Sequence, residues 1–268
     1  MQKASVIVTG ATGSMGSAAL RALASRGESV IAVCRSRERG EKLLNDILAD
    51  FPGSCVNLAI ADLSSIASVE ALCDSLAGQP IKGLFNNAGA LLRDRTLSCD
   101  GLPMCVAVNY VAPFILCNRI GEMMESGARI VNMVSLTCRF VSLEKDFFTE
   151  TSYSQLGTYA KSKLALMTFS MEYARRHPRL HVNVADPGVV NSKMISMDRW
   201  FDPLADIFFR PFISSPEKGV KPALRALEAE CSGKMFVGKS VRDIPQRCRR
   251  SATLAEWLWD ETEKMIRK

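Results

Sequence analysis

Tyr159 and Lys163 lie four residues apart in Tyr159-Ala160-Lys161-Ser162-Lys163, a spacing that sets a phenol and an ammonium on one face of a helix. A cation beside a phenol favours the phenolate. The pair can therefore bring a proton donor whose ordinary pKa is about 10 toward neutral pH, for use as a general acid or base. By itself the spacing also fits a solvated helix face. It is unique among the tyrosines, since Tyr110, Tyr153 and Tyr173 carry Phe114, Gly157 and His177 at the same offset.

A second cluster lies at the start of the chain, where Val6-Ile7-Val8 runs into Thr9-Gly10-Ala11-Thr12-Gly13-Ser14-Met15-Gly16 and then a helical pattern. Apolar strand, glycine loop and helix start form the setting that a dinucleotide pyrophosphate needs. Gly10 permits the tight turn, glycine in the loop lets backbone N–H groups approach the phosphates, and Gly16 allows close helix–strand packing. The helix N-terminus favours the anion. Gly10, Thr12, Gly13, Ser14, Met15 and Gly16 are the candidate cofactor residues of this loop.

The second strand ends in Val33-Cys34-Arg35, with no acidic residue to select a free ribose. Arg35, followed by Arg37 and Arg39, offers guanidinium donors to a 2′-phosphate, which points to NADP over NAD. The competing reading is that these arginines only cap and solvate the next helix. Asp62-Leu63, after the third strand, is placed to meet an adenine ring. An N-cap role competes for Asp62, although Ser64 could serve as that cap.

The elements that must position these residues alternate along the chain. Strand-length apolar runs occur at 4–9, 29–34, 55–61, 81–85, 128–134, 181–185 and 235–237. Helical patterns fall at about 14–26, 38–50, 65–77, 100–125, 152–177, 216–230 and 252–267. This β-α-β alternation predicts an α/β fold with a parallel sheet and helices on both faces. No linker splits it, so residues 1–268 read as one domain. Only 188–215 breaks the rhythm, with Pro203, Pro211 and bulky residues such as Met194, Trp200 and Phe208. It follows the sixth strand, near the strand ends where open α/β sheets bind ligands, and reads as a substrate lid. Packing against a neighbouring subunit is the alternative.

Composition narrows the partners. The +6 charge is dispersed, apart from Arg35–Arg39 and the 247–250 region, which argues against nucleic acid. Nine cysteines without a C-x-x-C pair, several in apolar runs, read as reduced buried thiols. His177 and His181 are the only histidines and lack zinc-ligand spacing, so no metal site is expected. Neither a signal peptide nor an apolar membrane span is read, and the expected location is the cytoplasm.

With these motifs in order, the chain resembles the short-chain dehydrogenase/reductase family over nearly its whole length. Asn86-Asn87-Ala88-Gly89 after the fourth strand matches the family's cofactor-lining segment. The resemblance implies a Rossmann-type doubly wound sheet and a catalytic set of Asn109, Ser135, Tyr159 and Lys163. It places Asn87, Ala88 and Gly89 at the cofactor. In Asp186-Pro187-Gly188-Val189-Val190-Asn191-Ser192, it places Pro187, Gly188, Val190 and Ser192 near the nicotinamide carboxamide. Two departures stand out. Ser14 occupies a position where the classical loop has glycine, and the spacing of Gly10, Gly13 and Gly16 is more typical of extended members such as sugar-nucleotide epimerases. The gap from Ser135 to Tyr159 is 24 residues, about a dozen more than usual, as in the retinol-dehydrogenase-like branch. The final 258–264 segment is also similar to that branch.

The resemblance implies hydride transfer between NADP(H) and a small-molecule carbonyl or secondary alcohol. Tyr159 would be acid or base, Lys163 would lower its pKa, Ser135 would hydrogen-bond the substrate oxygen and Asn109 would anchor a relay water. Phe147 and Phe148 in the insertion, with the lid aromatics, hint at an apolar substrate. A homodimer or homotetramer packed through the fourth and fifth helices is the assembly it implies. A catalytically silent NADP-binding sensor or scaffold on the same fold is the competing class, and a sugar-nucleotide epimerase a third.

Overall fold

The computed structural model of the chain describes residues 3–144, 146–149, 152–188, 215–245 and 252–267. Its strands are β1 (Ser5–Thr9), β2 (Ser29–Cys34), β3 (Val56–Ile60), β4 (Ile81–Asn86), β5 (Arg129–Met133), β6 (His181–Asp186), β7 (Lys234–Val237) and β8 (Ser240–Asp243). They form one sheet in the order β3-β2-β1-β4-β5-β6-β7-β8. The first seven are parallel; only β8 runs antiparallel, against β7. After β3 the chain crosses to the other side of β1, and that reversal opens a crevice at the carboxyl ends of β1 and β4.

Helices α1 (Ser14–Ala24), α2 (Arg37–Asp50), α3 (Ile66–Ser75), α4 (Met104–Met123), α5 (Gln155–Arg176), α6 (Pro216–Gly219), α7 (Lys221–Glu228) and α8 (Ala252–Ile266) cover the sheet. Every position of β1 and β2 is buried, because helices lie on both faces and leave no strand side for water. One apolar core joins the sheet to α3, α4, α5 and α8; the other joins it to α1, α2 and α7. Serine hydroxyls fix three helix starts: Ser36 accepts from Arg39 N–H, Ser65 from Ser68 N–H and Ser154 from Gly157 N–H.

Four details differ from the sequence reading. β8 escaped notice because Ser240-Val241-Arg242-Asp243 is exposed throughout and carries no apolar run. The pattern at 216–230 is two helices, since Pro222 lacks an N–H and restarts the helix at its first turn. α4 is apolar and long enough for a membrane span by composition, with a mean hydropathy of 1.3, yet its apolar window is 78% buried inside the fold. It is a core helix.

The fourth difference concerns Phe147 and Phe148, which pack into and against the core. Phe147 is 1% exposed and packs edge-on against Tyr110 of α4 at 5.6 Å between ring centres. Phe148 meets Trp257 of α8 at 6.4 Å. These two rings of the insertion thus join α4 to α8. The lid expected at 188–215 lies, over 189–214, outside the described residues.

Candidate active site

Ser135, Tyr159 and Lys163 converge beyond the carboxyl ends of β5 and β6. β5 ends at Met133, and two residues later Ser135 opens a short 3-10 turn, Leu136–Phe140. The Ser135 hydroxyl accepts from the Thr137 N–H at 3.4 Å and the Thr137 hydroxyl at 3.0 Å. It therefore caps the turn and also hydrogen-bonds toward the Tyr159 phenol. Tyr159 and Lys163 sit on successive turns of α5 as their spacing requires, with the Lys163 Nζ 5.8 Å from the phenol ring centre.

The electrostatics reverse one expectation. Burial pushes the Tyr159 phenol up to about 12. The Ser135 hydrogen bond opposes that rise, while Asp186, Cys105 and Cys138 add to it. Burial also drives Lys163 down to about 8, against the pull of Cys105 and Asp186. Lys163 is 2% exposed and its ammonium donates to the Met133 carbonyl at 2.9 Å. The cation is spent on the backbone of β5 in a dry setting, so desolvation outweighs its effect on the phenol.

Asn109 lies in a π-helical turn, Ala107–Val111, within α4. Its side-chain oxygen accepts from Ala90 N–H at 2.7 Å, and its amide nitrogen donates to Ala90 O and Ser162 Oγ, both at 2.9 Å. Both donor sites and an acceptor site of the amide are thus engaged. Ser162, on α5 between Tyr159 and Lys163, was not picked out from the sequence; it ties Asn109 to the Tyr159/Lys163 helix.

The glycine loop has the backbone that an anion site requires. Gly10 has φ +65°, and a Cβ there would meet Ala88 Cα at 2.8 Å. A Cβ on Gly16 would stand 2.3 Å from Gly10 O, so Gly16 lets α1 close on the loop. Gly13 caps α1 without a side chain, and no acidic residue occupies its first turn. Gly13 and Ser14 are exposed and Thr12 and Met15 half-buried, so the helix's orphan amides face outward. Ser14 is simply the first helical residue and projects away from the packing. Thr9, which the sequence reading passed over, joins the loop to the next segment. Its hydroxyl accepts from Asn87 N–H and Ala88 N–H, both at 3.0 Å, and the Asn87 amide donates to Thr9 O at 2.8 Å. Asn87, Ala88 and Gly89 are half-buried beside the loop.

Arg35 is exposed just past β2, and Arg39 reaches back to Thr12 O at 3.5 Å. Asp62 is a turn residue: its carboxylate accepts from Ser64 N–H and Oγ at 3.0 and 2.7 Å. Ser65, and neither Asp62 nor Ser64, caps α3. Burial raises Asp62, but the two Ser64 bonds and Arg35 together hold it below the ordinary range. Leu63 beside it is half-buried. Pro187 and Gly188 continue β6 at the site, with Gly188 at φ +71°; Val190 and Ser192 lie outside the described residues. Uncapped helix amides, a glycine loop that side chains would fill and a basic strand end suit a dinucleotide phosphate, so the residues fit the cofactor.

The short chain dehydrogenase family model matches residues 4–200. Retinol dehydrogenase 12 of Bos taurus is 32% identical, over 97% of this chain and 85% of that protein. Polyprenol dehydrogenase of Mus musculus is 29% identical, over 95% and 81%. Among solved structures, a blue fluorescent protein from a metagenomic library in complex with NADPH superposes with a TM-score of 0.70 at 22% identity, over 87% of this chain and 95% of that one.

Proposed function

The chain belongs to the short chain dehydrogenase family, as an oxidoreductase of CH–OH and C=O groups that uses a nicotinamide cofactor, and we propose that it takes NADP(H) and reduces an apolar carbonyl in the cytoplasm. The convergence of Ser135, Tyr159 and Lys163 beside the glycine loop carries this reading. The cofactor, when bound, supplies the hydride. Gly10, Thr12, Gly13, Ser14, Met15 and Gly16 would hold its pyrophosphate, Arg35 its 2′-phosphate, and Asp62 and Leu63 its adenine. Asn87, Ala88, Gly89, Pro187, Gly188, Val190 and Ser192 would line the rest.

At neutral pH the buried phenol of Tyr159 is protonated, since its pKa stands near 12. It is therefore ready to donate to a carbonyl oxygen as negative charge develops there, which suits reduction. Ser135 gives a second hydrogen bond to that oxygen. Lys163, anchored on Met133 O, holds positive charge behind the phenol. Asn109 fixes the 90 segment against α5 through its bonds to Ala90 and Ser162, and in the family that asparagine anchors the relay water. Retinol and polyprenol, named for two relatives, are long apolar alcohols, which favours an apolar substrate here.

Tyr159→Phe is expected to lower kcat by roughly 10²–10⁴-fold while NADPH binding is kept. The measurement is NADPH consumption with a panel of apolar ketones and aldehydes, beside a direct NADPH titration. Retained turnover in the variant would remove Tyr159 from the chemistry.

A further inference from the structure

Asp186 closes β6 and is 1% exposed. Strand alternation sets its side chain on the same face as Val182 and Val184, which pack in the core shared with α4 and α5, while Ala185 faces the opposite core. One carboxylate oxygen accepts from Gly188 N–H at 2.7 Å. The other is buried with no partner in hydrogen-bonding geometry. Across the sheet Ala185 pairs with Met133, and Met133 O is the acceptor for the Lys163 ammonium at 2.9 Å. The carboxyl therefore follows directly on the strand position opposite the lysine's anchor.

We propose that Asp186 is a positioning residue of the proton-transfer site, its ionised carboxylate holding Lys163 in the charged form and Tyr159 in the protonated form. This rests on Tyr159 and Lys163 being the proton-handling pair. A buried anion held only by backbone N–H groups is still better compensated when a cation lies near, and among the described residues Lys163 is the buried cation on that face. The other groups around it are Tyr159 on α5, Arg139 and Cys138 on the Leu136–Phe140 turn, and Cys105 on α4. Burial raises Asp186 itself, while the Gly188 and Leu136 N–H groups, Arg139 and Lys163 pull it down. The sign for its neighbours is fixed: a carboxylate favours the ammonium and disfavours the phenolate. Removing its charge must let Lys163 lose its proton, and Tyr159 its own, at lower pH.

Asp186→Asn keeps an acceptor for Gly188 N–H and removes the charge; Asp186→Ser is a second variant with a shorter acceptor. The test is an NMR titration of isotope-labelled lysine ε-carbons in the full chain. The Lys163 signal is identified by its loss in Lys163→Arg. Its midpoint, near 8 in the unaltered protein, should fall by on the order of one pH unit in both variants. The alkaline limb of kcat/KM should move down by a similar amount. A well-folded variant whose Lys163 midpoint is unchanged would overturn the proposal, even if its melting temperature dropped. The titration needs no substrate. Failure of every carbonyl to turn over would therefore count against the proposed reaction and leave this result standing.

Discussion

At the scale of single residues, the proposed preference for NADP rests on Arg35. It stands exposed where a ribose-binding carboxylate would otherwise be, so Arg35→Ala should weaken NADPH about tenfold more than NADH, in line with one charge-assisted hydrogen bond at an open site. Parallel titrations of both reduced cofactors check this, and equal losses would remove the argument for NADP. Tyr159 and Lys163 were legible because their relation is local. The partners of Asn109 were not, since Ser162 lies 53 positions away. The sign of the Tyr159 shift was also hidden: it depends on how dry α5 is, a product of packing that no spacing encodes. Asp186 left one readable trace, an acid directly after the strand-length run at 181–185.

At the scale of elements, the strands were nearly fixed by their apolar runs, with 29–34 and Ser29–Cys34 coinciding. Their helices followed within a few residues, as the serine caps specify. What periodicity missed were interruptions without an apolar signature: the polar edge strand β8, the restart at Pro222 and the π-helical turn of α4. The insertion misled because aromatic content alone does not say which side a ring faces. Phe147 is buried among Tyr110 and Phe148, so Phe147→Ala should cost about 3–5 kcal/mol of stability, read as a lower denaturation midpoint. A residue lining a substrate cleft would instead raise KM and leave the midpoint in place.

The whole molecule is organised around the reversal of strand order at β1 and β4, which brings the glycine loop and the ends of β5 and β6 to one edge of the sheet. The opposite concern, covering the outer helices, falls to α8. Trp259 packs on Phe114 at 5.1 Å and Phe169 at 5.6 Å, the Arg176 guanidinium lies 3.9 Å over the Trp259 ring, and the Tyr110 hydroxyl meets Thr262 Oγ1 at 2.6 Å. An assembly built on α4 and α5, as the family resemblance implies, therefore has to use their remaining surface. The parallel sheet was foreseeable from alternation alone, whereas the docking of α8 depends on contacts spread across the sequence. Tyr110 and Thr262 are separated by 152 positions, and closing so long a loop costs chain entropy that local contacts do not. Take α8 away, and the rings of Tyr110, Phe114 and Phe169 lose the cover that Trp259 and Thr262 give them. A chain cut before α8 should therefore present an apolar patch of the kind that drives chains together, read as concentration-dependent association beside the full chain.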